Sequence, residues 1–189
     1  TGADAVSLYP YARVSRHGIP KVQNFFIQHE GPVGVLGSNN YISKKYADLK
    51  NDKQLRFDET TGWLGITDKY WATAVIADPG AEINALFSWR DTQGFDEFQT
   101  SFVGTTPVTV APGASGSSTS YVFAGAKVEQ VISGYDAKYG FDRLDLLIDW
   151  GWFHFITYPL FLLLRWLYGI IGNFGLAILA VTLIVKGIF

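Results

Sequence analysis

The most unusual polar residue of the chain is Lys186, which lies in an otherwise apolar C-terminal segment. Residues 174–185 carry no charge, and a helix that begins at Asn173, a suitable N-cap, places Lys186 past the middle of a bilayer. An ionisable group at that depth costs about 3 kcal/mol on insertion scales and tends to face a polar cavity. Thr182, four residues earlier, lies on the same side of the helix. The alternative is that Lys186 extends its ammonium group to the far interface, and the residues alone leave both possibilities open.

A second polar set follows one side of residues 150–171 when this apolar segment is placed on a helix: His154, Thr157, Tyr158, Arg165 and Tyr168. The segment is rich in the aromatic residues that are typical of a membrane–water boundary, including Trp150, Trp152, Tyr158, Trp166 and Tyr168. We interpret Arg165 as a charged head that reaches outward from an interfacial helix. The narrow polar stripe fits a helix lying in the interface, but the segment is also long enough to span, and the residues alone leave both possibilities open. Pro159 predicts a kink or an interruption.

The composition gives little support to catalytic or metal chemistry. The chain has no cysteine, and the spacing of His17, His29 and His154 matches no metal motif. It contains no G-x-S-x-G nucleophile motif and no phosphate-binding glycine loop. All 17 acidic residues lie at or before Asp149, where they outnumber the basic residues, so this part offers no basic surface for nucleic acid. We therefore expect no enzyme activity, no metal, no cofactor and no nucleic-acid partner.

The N-terminal part of the chain is predicted to be β-rich. Short runs of Val, Ile, Thr and aromatic residues alternate there with Gly, Pro, Asn and Asp. We predict strands at residues 7–15, 22–28, 62–66, 70–77, 82–89, 95–103, 107–111 and 120–124, and a helix at 127–139. Residues 30–37 are interpreted as a turn region and residues 44–59 as a solvated loop. The number and spacing of the strands indicate an antiparallel sandwich or barrel.

Three tryptophans of this part allow a second reading. Trp63, Trp71 and Trp89 would form a carbohydrate-binding surface if they were exposed on a membrane-tethered sandwich. Aromatic side chains also dominate protein cores, and the sequence favours the core role for these three.

Several motifs in the last 41 residues resemble the YidC/Oxa family of membrane protein insertases. They are a D-W-G-W start at residues 149–152, F-I-T-Y-P-L-F at 155–161, a Gly-Asn hinge at 172–173 and T-L-I-V-K-G at 182–187. Upstream, the stretches YARVSRHGIPKVQNFFIQHEGPVGVLG, GWLGITDKYWATAVIADP and YVFAGAKVEQV also resemble the periplasmic domain of this family. The family often has proline where this chain has Ala126. The motifs occur in the family's order and extend over nearly the whole chain.

The resemblance implies a fold and three parts. Residues 1–140 would be the C-terminal part of an extended, mutarotase-like periplasmic β-sandwich, and residues 141–172 an amphipathic region that lies flat at the interface. Residues 173–189 would begin the first transmembrane helix of a five-helix insertase core, so we expect more protein after them and an N-terminal half before Thr1. Lys186 matches a positively charged residue, usually arginine, in a hydrophilic groove open to the cytoplasm and the lipid. Lysine keeps the charge but lacks the bidentate fork of arginine.

The resemblance also implies a function and a location. The protein would insert nascent membrane proteins into the bacterial inner membrane as a multi-pass protein, alone or with the Sec translocon and its accessory subunits. It would contact the lipid bilayer, and the ribosome through parts that lie outside this chain. A further reading, compatible with the first, is that the sandwich docks translocation partners.

Overall fold

The apolar runs of the N-terminal part pair as antiparallel strands in a computed structural model, which describes residues 4–20, 29–38, 40–151 and 153–188. Contacts divide the chain into two units, one that continues through Ile148 and one that starts at Asp149. The described strands are β1 Val6–Leu8, β2 Tyr11–His17, β3 Gly31–Leu36, β4 Asn40–Ser43, β5 Gln54–Thr60, β6 Gly62–Thr67, β7 Trp71–Ala77, β8 Ile83–Thr92, β9 Phe95–Gly104, β10 Val108–Val110 and β11 Ser120–Ala126. The helices are α1 Tyr46–Asp52, α2 Glu129–Tyr139, α3 His154–Ile171 and α4 Phe174–Ile188, with a 3₁₀ helix at Leu144–Leu147.

The first unit is a β-sandwich, as predicted. One sheet has five strands in the order β11-β7-β6-β3-β4, and the other has four in the order β2-β9-β8-β5. The two short strands β1 and β10 form a separate antiparallel pair. Every pairing between the described strands is antiparallel, and the β8–β9 hairpin has the longest register, from Ile83 opposite Gly104 to Thr92 opposite Phe95.

The five-stranded sheet is covered on both faces, which explains why β3 and β6 show no polar alternation. On the face toward the four-stranded sheet, Leu64 and Val75 pack with Phe87, Phe98 and their neighbours in one core cluster. On the opposite face a second cluster gathers the side chains that meet α2 and the 3₁₀ helix: Val33, Val35, Trp63, Ile76, Ile132, Leu144 and Leu147 among others. A strand buried on both sides reads as a continuous apolar run.

Two sequence interpretations in this region are wrong. Residues 30–37, interpreted as a turn region, contain β3, a strand with every residue buried in the five-stranded sheet. Residues 44–59, interpreted as a solvated loop, contain α1 and most of β5. For β3, tertiary packing outweighs local propensity, because its glycines allow the neighbouring strands to approach closely: a Cβ on Gly34 would lie 2.8 Å from the carbonyl oxygen of Trp63.

Other predicted elements agree with the structure. The helix predicted at residues 127–139 is α2, and the strand predicted at residues 7–15 is divided into β1 and β2 on either side of Pro10. Proline cannot donate a ladder hydrogen bond, which accounts for the break. The strand predicted at residues 22–28 lies outside the described residues.

Hydrogen bonds attach the segment after α2 to the rest of the sandwich. Trp63 Nε1 donates to the carbonyl of Asp142 at 2.8 Å, and the Asp136 carboxylate accepts from the backbone N–H groups of Leu144 at 3.0 Å and Asp145 at 3.3 Å. Burial raises the pKa of Asp136, and the two backbone donors oppose this rise. These bonds lie within the first unit, which continues through Ile148.

The second unit is a helical hairpin. α3 runs without interruption through Pro159, so the predicted interruption does not occur. Its C-cap, Gly172, has φ +70°, a left-handed conformation in which glycine is favoured because it has no Cβ. Asn173 then caps α4, since its side-chain oxygen accepts from the N–H of Leu176 at 3.2 Å. The Gly-Asn pair thus ends one helix and starts the next.

Candidate functional site in the apolar helices

Thr182 and Lys186 lie one helical turn apart on α4, and both are exposed in the described unit. The face of α4 that meets α3 is marked by Ala177, which is fully buried, and by Val181 and Val185, which are half-buried. Thr182 and Lys186 follow these two valines by one residue, about 100° around the helix axis. They are therefore on an adjacent face that the hairpin leaves uncovered.

The polar groups of this face differ in how they are satisfied. The Thr182 hydroxyl donates to the Ile178 carbonyl at 2.8 Å, one turn earlier, which is the usual way for a threonine to be accommodated in an apolar helix. Lys186 makes no salt bridge with any described residue. Its ammonium group is thus the one charge on α4 that a substrate, a lipid or another helix can neutralise.

The interfacial aromatic residues form a cluster at the start of α3. The Trp150 ring lies 5.1 Å from that of Tyr158 and 5.0 Å from that of Phe161, and the Thr157 hydroxyl donates to the Trp150 carbonyl at 3.0 Å. Trp166 is 61 % exposed further along the helix. These contacts fold the chain before α3 back onto its first turns.

The remaining interfacial candidates are distributed along the same helix. Arg165 and Tyr168 are exposed, and the Tyr168 ring meets that of Phe174 at 5.7 Å, across the turn between the helices. Trp152 lies outside the described residues. Among the described helices, α3 is the one long and apolar enough to cross a membrane, while α4 is apolar but shorter. An interfacial position for α3 stays a prediction.

The three tryptophans of the alternative reading have different environments. Trp63 is fully buried in the second core cluster, and Trp89 is half-buried with its Nε1 donating to Asp96 at 2.8 Å. Trp71 is 63 % exposed at the start of β7. The core role predicted for all three is therefore wrong for Trp71.

A polar cluster inside the sandwich had no signal in the sequence. Arg16 of β2 forms an ion pair with Asp68, which follows β6, and its guanidinium carbon lies 6.0 Å from the ring centroid of Tyr46. Burial raises the pKa of the Tyr46 hydroxyl strongly, while the charge of Arg16 opposes the rise. These residues are far apart in the chain and belong to no motif, so only the fold brings them together. Among the described residues, no group of three His, Asp or Glu side chains is arranged to hold a metal ion.

Taken together, the two units define a class of protein in which an antiparallel sandwich precedes a strongly apolar helical hairpin with one uncovered cationic face. In the comparison with known proteins, a family model described as the YidC periplasmic domain matches residues 1–163, which contain the sandwich and the first part of α3.

Curated relatives extend the match over the whole chain. A protein named membrane protein insertase YidC from Nitrobacter hamburgensis is 42% identical over 197 aligned residues, which cover 100% of this chain and 32% of the relative. Proteins with the same name from Paracoccus denitrificans and Brucella suis are 45% and 44% identical, covering 98% and 100% of this chain and 30% and 31% of the relatives. The chain belongs to the YidC family of membrane protein insertases. It spans about a third of the length of these relatives.

Proposed function

We propose that this chain is part of a membrane protein insertase, in which α4 contributes one wall of a hydrophilic, cationic groove within the bilayer. The observation that carries the proposal is the uncovered face of α4 with Thr182 and Lys186. Family membership supports the insertase activity, because the relatives that align with nearly the whole of this chain are named membrane protein insertase YidC. The groove itself requires further helices to face Lys186.

The mechanism follows from the energetics of polar groups in lipid. Moving a polar or charged segment into hydrocarbon is costly, and a wet groove lowers that cost over part of the crossing. The Lys186 ammonium group attracts acidic residues near the end of a substrate segment as it enters. The apolar part of the substrate then leaves for the lipid, where burial of its surface drives insertion. No bond is made or broken, so the process needs neither a cofactor nor a nucleophile.

The proposal includes a location and partners. The protein acts in the bacterial inner membrane as a multi-pass protein, with the sandwich in the periplasm, α3 at the interface and α4 spanning. Trp150, Tyr158, Trp166 and Tyr168 anchor α3 among the lipid headgroups, and Arg165 extends toward the aqueous phase. Nascent membrane proteins are the substrates, the Sec translocon and its accessory subunits are partners, and the ribosome binds parts outside this chain.

The test is an insertion assay with the full-length protein carrying Lys186→Ala, Lys186→Arg or the neighbouring control Leu183→Ala. Membrane vesicles containing each variant are supplied with a nascent substrate that has an acidic translocated tail, and protease protection of the tail is measured. Lys186→Ala should reduce the protected fraction severalfold, while Lys186→Arg and Leu183→Ala should retain it. Normal protection with stably expressed Lys186→Ala would overturn the role of this charge.

A second role for the sandwich, docking of translocation partners, is favoured by one surface. One face of α2, starting at its N-cap, carries exposed apolar side chains: Val128, Val131, Tyr135 and Tyr139. Single exposed apolar residues are common on protein surfaces, whereas several neighbouring ones are typical of an interaction site. Removing residues 1–148, the whole first unit, from the full-length protein should abolish co-purification of Sec subunits while insertion persists. Unchanged co-purification would exclude docking by the sandwich.

A further inference from the structure

The turn between β6 and β7 forms an exposed tip of the sandwich that combines two aromatic side chains with a lysine. Tyr70 is 64% exposed and Trp71 is 63% exposed, and Lys69 is exposed beside them. The N–H of Asp68 donates to the Trp71 carbonyl at 2.8 Å, and the N–H of Lys127, after β11, donates to the Tyr70 carbonyl at 2.9 Å. A turn fixed by these bonds therefore presents neighbouring aromatic rings to solvent, which is typical of a contact surface.

Lys69 gives this tip a positive charge. The acidic residue of the turn, Asp68, is already compensated by its ion pair with Arg16. Lys69 forms no salt bridge with any described residue, and its Nζ lies 5.1 Å from the centroid of the Tyr70 ring. The tip thus offers an ammonium group and two amphipathic rings at one point of the surface.

The opposite end of the sandwich is acidic. The strands β6 and β7 run about 20 Å from the tip to the turns at their other ends, at about 3.3 Å per residue. Residues 57–68 and 72–89, which include both of those turns, contain no lysine or arginine. Exposed carboxylates lie in or beside the turns: Asp58, Glu59, Asp78 and Glu82. An anionic surface therefore attracts the tip and repels the far end, which selects the end that faces it.

The chain leaves the sandwich at the same end as the tip. The Thr67 hydroxyl, at the end of β6, donates to the Leu147 carbonyl at 3.5 Å, and Leu147 belongs to the same buried cluster as Ala72, the residue after Trp71. The first unit ends one residue later at Ile148, and residues 149–153 connect it to α3. Because an extended chain rises at most about 3.6 Å per residue, a short connection tethers this end of the sandwich to the apolar helices.

These observations favour a lipid surface as the partner of the tip. Nucleic acid is bound through several phosphate contacts from basic side chains, and the turn supplies one lysine. A stable protein interface buries about 800 Å² on each partner, which a single turn does not provide. The headgroup region of a bilayer suits the tip, because tryptophan and tyrosine rings lie at that level while a lysine meets the phosphates of anionic lipids.

We propose that the β6–β7 tip, formed by Lys69, Tyr70 and Trp71, docks on the anionic lipid surface of the bilayer. The proposal rests on the membrane location proposed above and adds to it a lipid contact made by the sandwich itself. Tyr70 and Trp71 enter the headgroup region, and Lys69 lies against the lipid phosphates. Docking at this point orients the sandwich, with the acidic turns directed away from the membrane.

The test measures the membrane depth of a nitroxide label in the full-length protein reconstituted into vesicles that contain phosphatidylglycerol. The label is attached to Ala126→Cys, because Ala126 is exposed and lies opposite Trp71 in the β7–β11 pair, which leaves all three tip residues in place. Depth is read from collisions with oxygen, which concentrates in lipid, and with a water-soluble nickel chelate. The label at residue 126 should be protected from the chelate, whereas a label on Ala81→Cys, exposed between β7 and β8, should be fully accessible.

Two variants and a matched control test the tip residues. Lys69→Ala should lower the ratio of docked to undocked label at residue 126 by about fivefold, the effect of one charge near an anionic surface. Trp71→Ala should lower this ratio by about tenfold, because an apolar ring no longer enters the headgroup region. Arg56→Ala removes an exposed charge from β5, away from the tip, and should leave the ratio unchanged.

A label on Ile170→Cys, which is 65% exposed on α3, reports separately whether this helix lies in the bilayer. Tip docking is overturned if the label at residue 126 is as accessible to the chelate as the label at residue 81, or if either tip variant leaves the ratio unchanged. If the label at residue 170 is protected, such a result removes tip docking alone. If the label at residue 170 is accessible, the proposed membrane location fails as well.

Discussion

Truncation of Leu144 to alanine tests whether the segment after α2 is an integral layer of the sandwich. Leu144 is fully buried in the cluster that covers the outer face of the five-stranded sheet, together with Trp63 and Val35. If this segment were only a tether to the membrane helices, the substitution would have no effect on the sandwich. If the segment is packed as the structure shows, the substitution opens a cavity against a rigid sheet.

The size of the effect follows from the surroundings of the side chain. Leu→Ala substitutions in cores cost about 2–5 kcal/mol, and the cost rises with the volume of the cavity that remains. The backbone N–H of Leu144 donates a hydrogen bond to the Asp136 carboxylate, and Nε1 of the neighbouring Trp63 donates to the Asp142 carbonyl. Because these bonds fix both residues, neither can move far to fill the space. We therefore expect Leu144→Ala to lower the free energy of unfolding by about 3–4 kcal/mol. Leu146 is half-buried in the same turn, so Leu146→Ala should lower the free energy of unfolding by only about 1 kcal/mol.

The assay is urea unfolding of the detergent-solubilised protein, followed by the near-ultraviolet circular dichroism of the buried aromatic residues. The two variants should unfold with the same m-value at different midpoints, because they change stability and not the area exposed on unfolding. Equal losses for Leu144→Ala and Leu146→Ala, both near 1 kcal/mol, would refute the packing of this segment on the sandwich.

Two further predictions concern local features of the sandwich. The hydrogen bond from Lys50 lowers the pKa of Asp96, so the contribution of Asp96 to stability is present above about pH 4 and is lost as the pH falls through its lower folded value. An NMR titration should show this pKa rising in Lys50→Ala, and an unchanged value would contradict the assignment. Gly65→Ala should prevent folding, since a Cβ there would lie 2.2 Å from the Thr73 carbonyl oxygen, whereas Gly134→Ala in α2, with open space around it, should stabilise by about 0.5–1 kcal/mol. Thermal unfolding of both variants checks this pair, and a folded Gly65→Ala protein would contradict it.

The parts of the fold that follow from local patterns were predictable. Alternating or β-branched runs identified β7, β8 and β9, and the Gly-Asn pair at residues 172–173 marked the boundary between two apolar helices. Both signals are short-range, because a pleat repeats every two residues and a helix ends within one turn.

The parts of the fold that depend on tertiary contacts could not be predicted from local sequence patterns. β3 contains Gly, Pro and Val in a pattern typical of a turn, and it becomes a central strand only because both of its faces are covered. Pro159 is tolerated inside α3, although proline in a helix interior removes one backbone donor. The ion pair between Arg16 and Asp68 joins different sheets, so nothing near either residue announces it.

The sequence predicted that Thr182 and Lys186 lie on the same side of one helix, and their role as a functional site stays a prediction. The spacing of Thr182 and Lys186 places them on one face of a helix, and α3 does not cover this face in the structure. The proposed groove needs several helices, and α4 contributes one of them. Lys186 as a groove residue is thus a prediction that only the full-length protein tests.

The most direct test of the central claim is site-specific photocrosslinking from α4 in the full-length protein. A photoreactive residue is placed at Thr182 or, as a control about 100° around the helix, at Leu183, which is 72% exposed. Stalled nascent chains of a membrane protein substrate are then supplied, and crosslinks are resolved by mass. Crosslinking to the nascent chain from position 182, and to lipid from position 183, is the predicted result. Lipid crosslinks alone from both positions would contradict a substrate groove on this face.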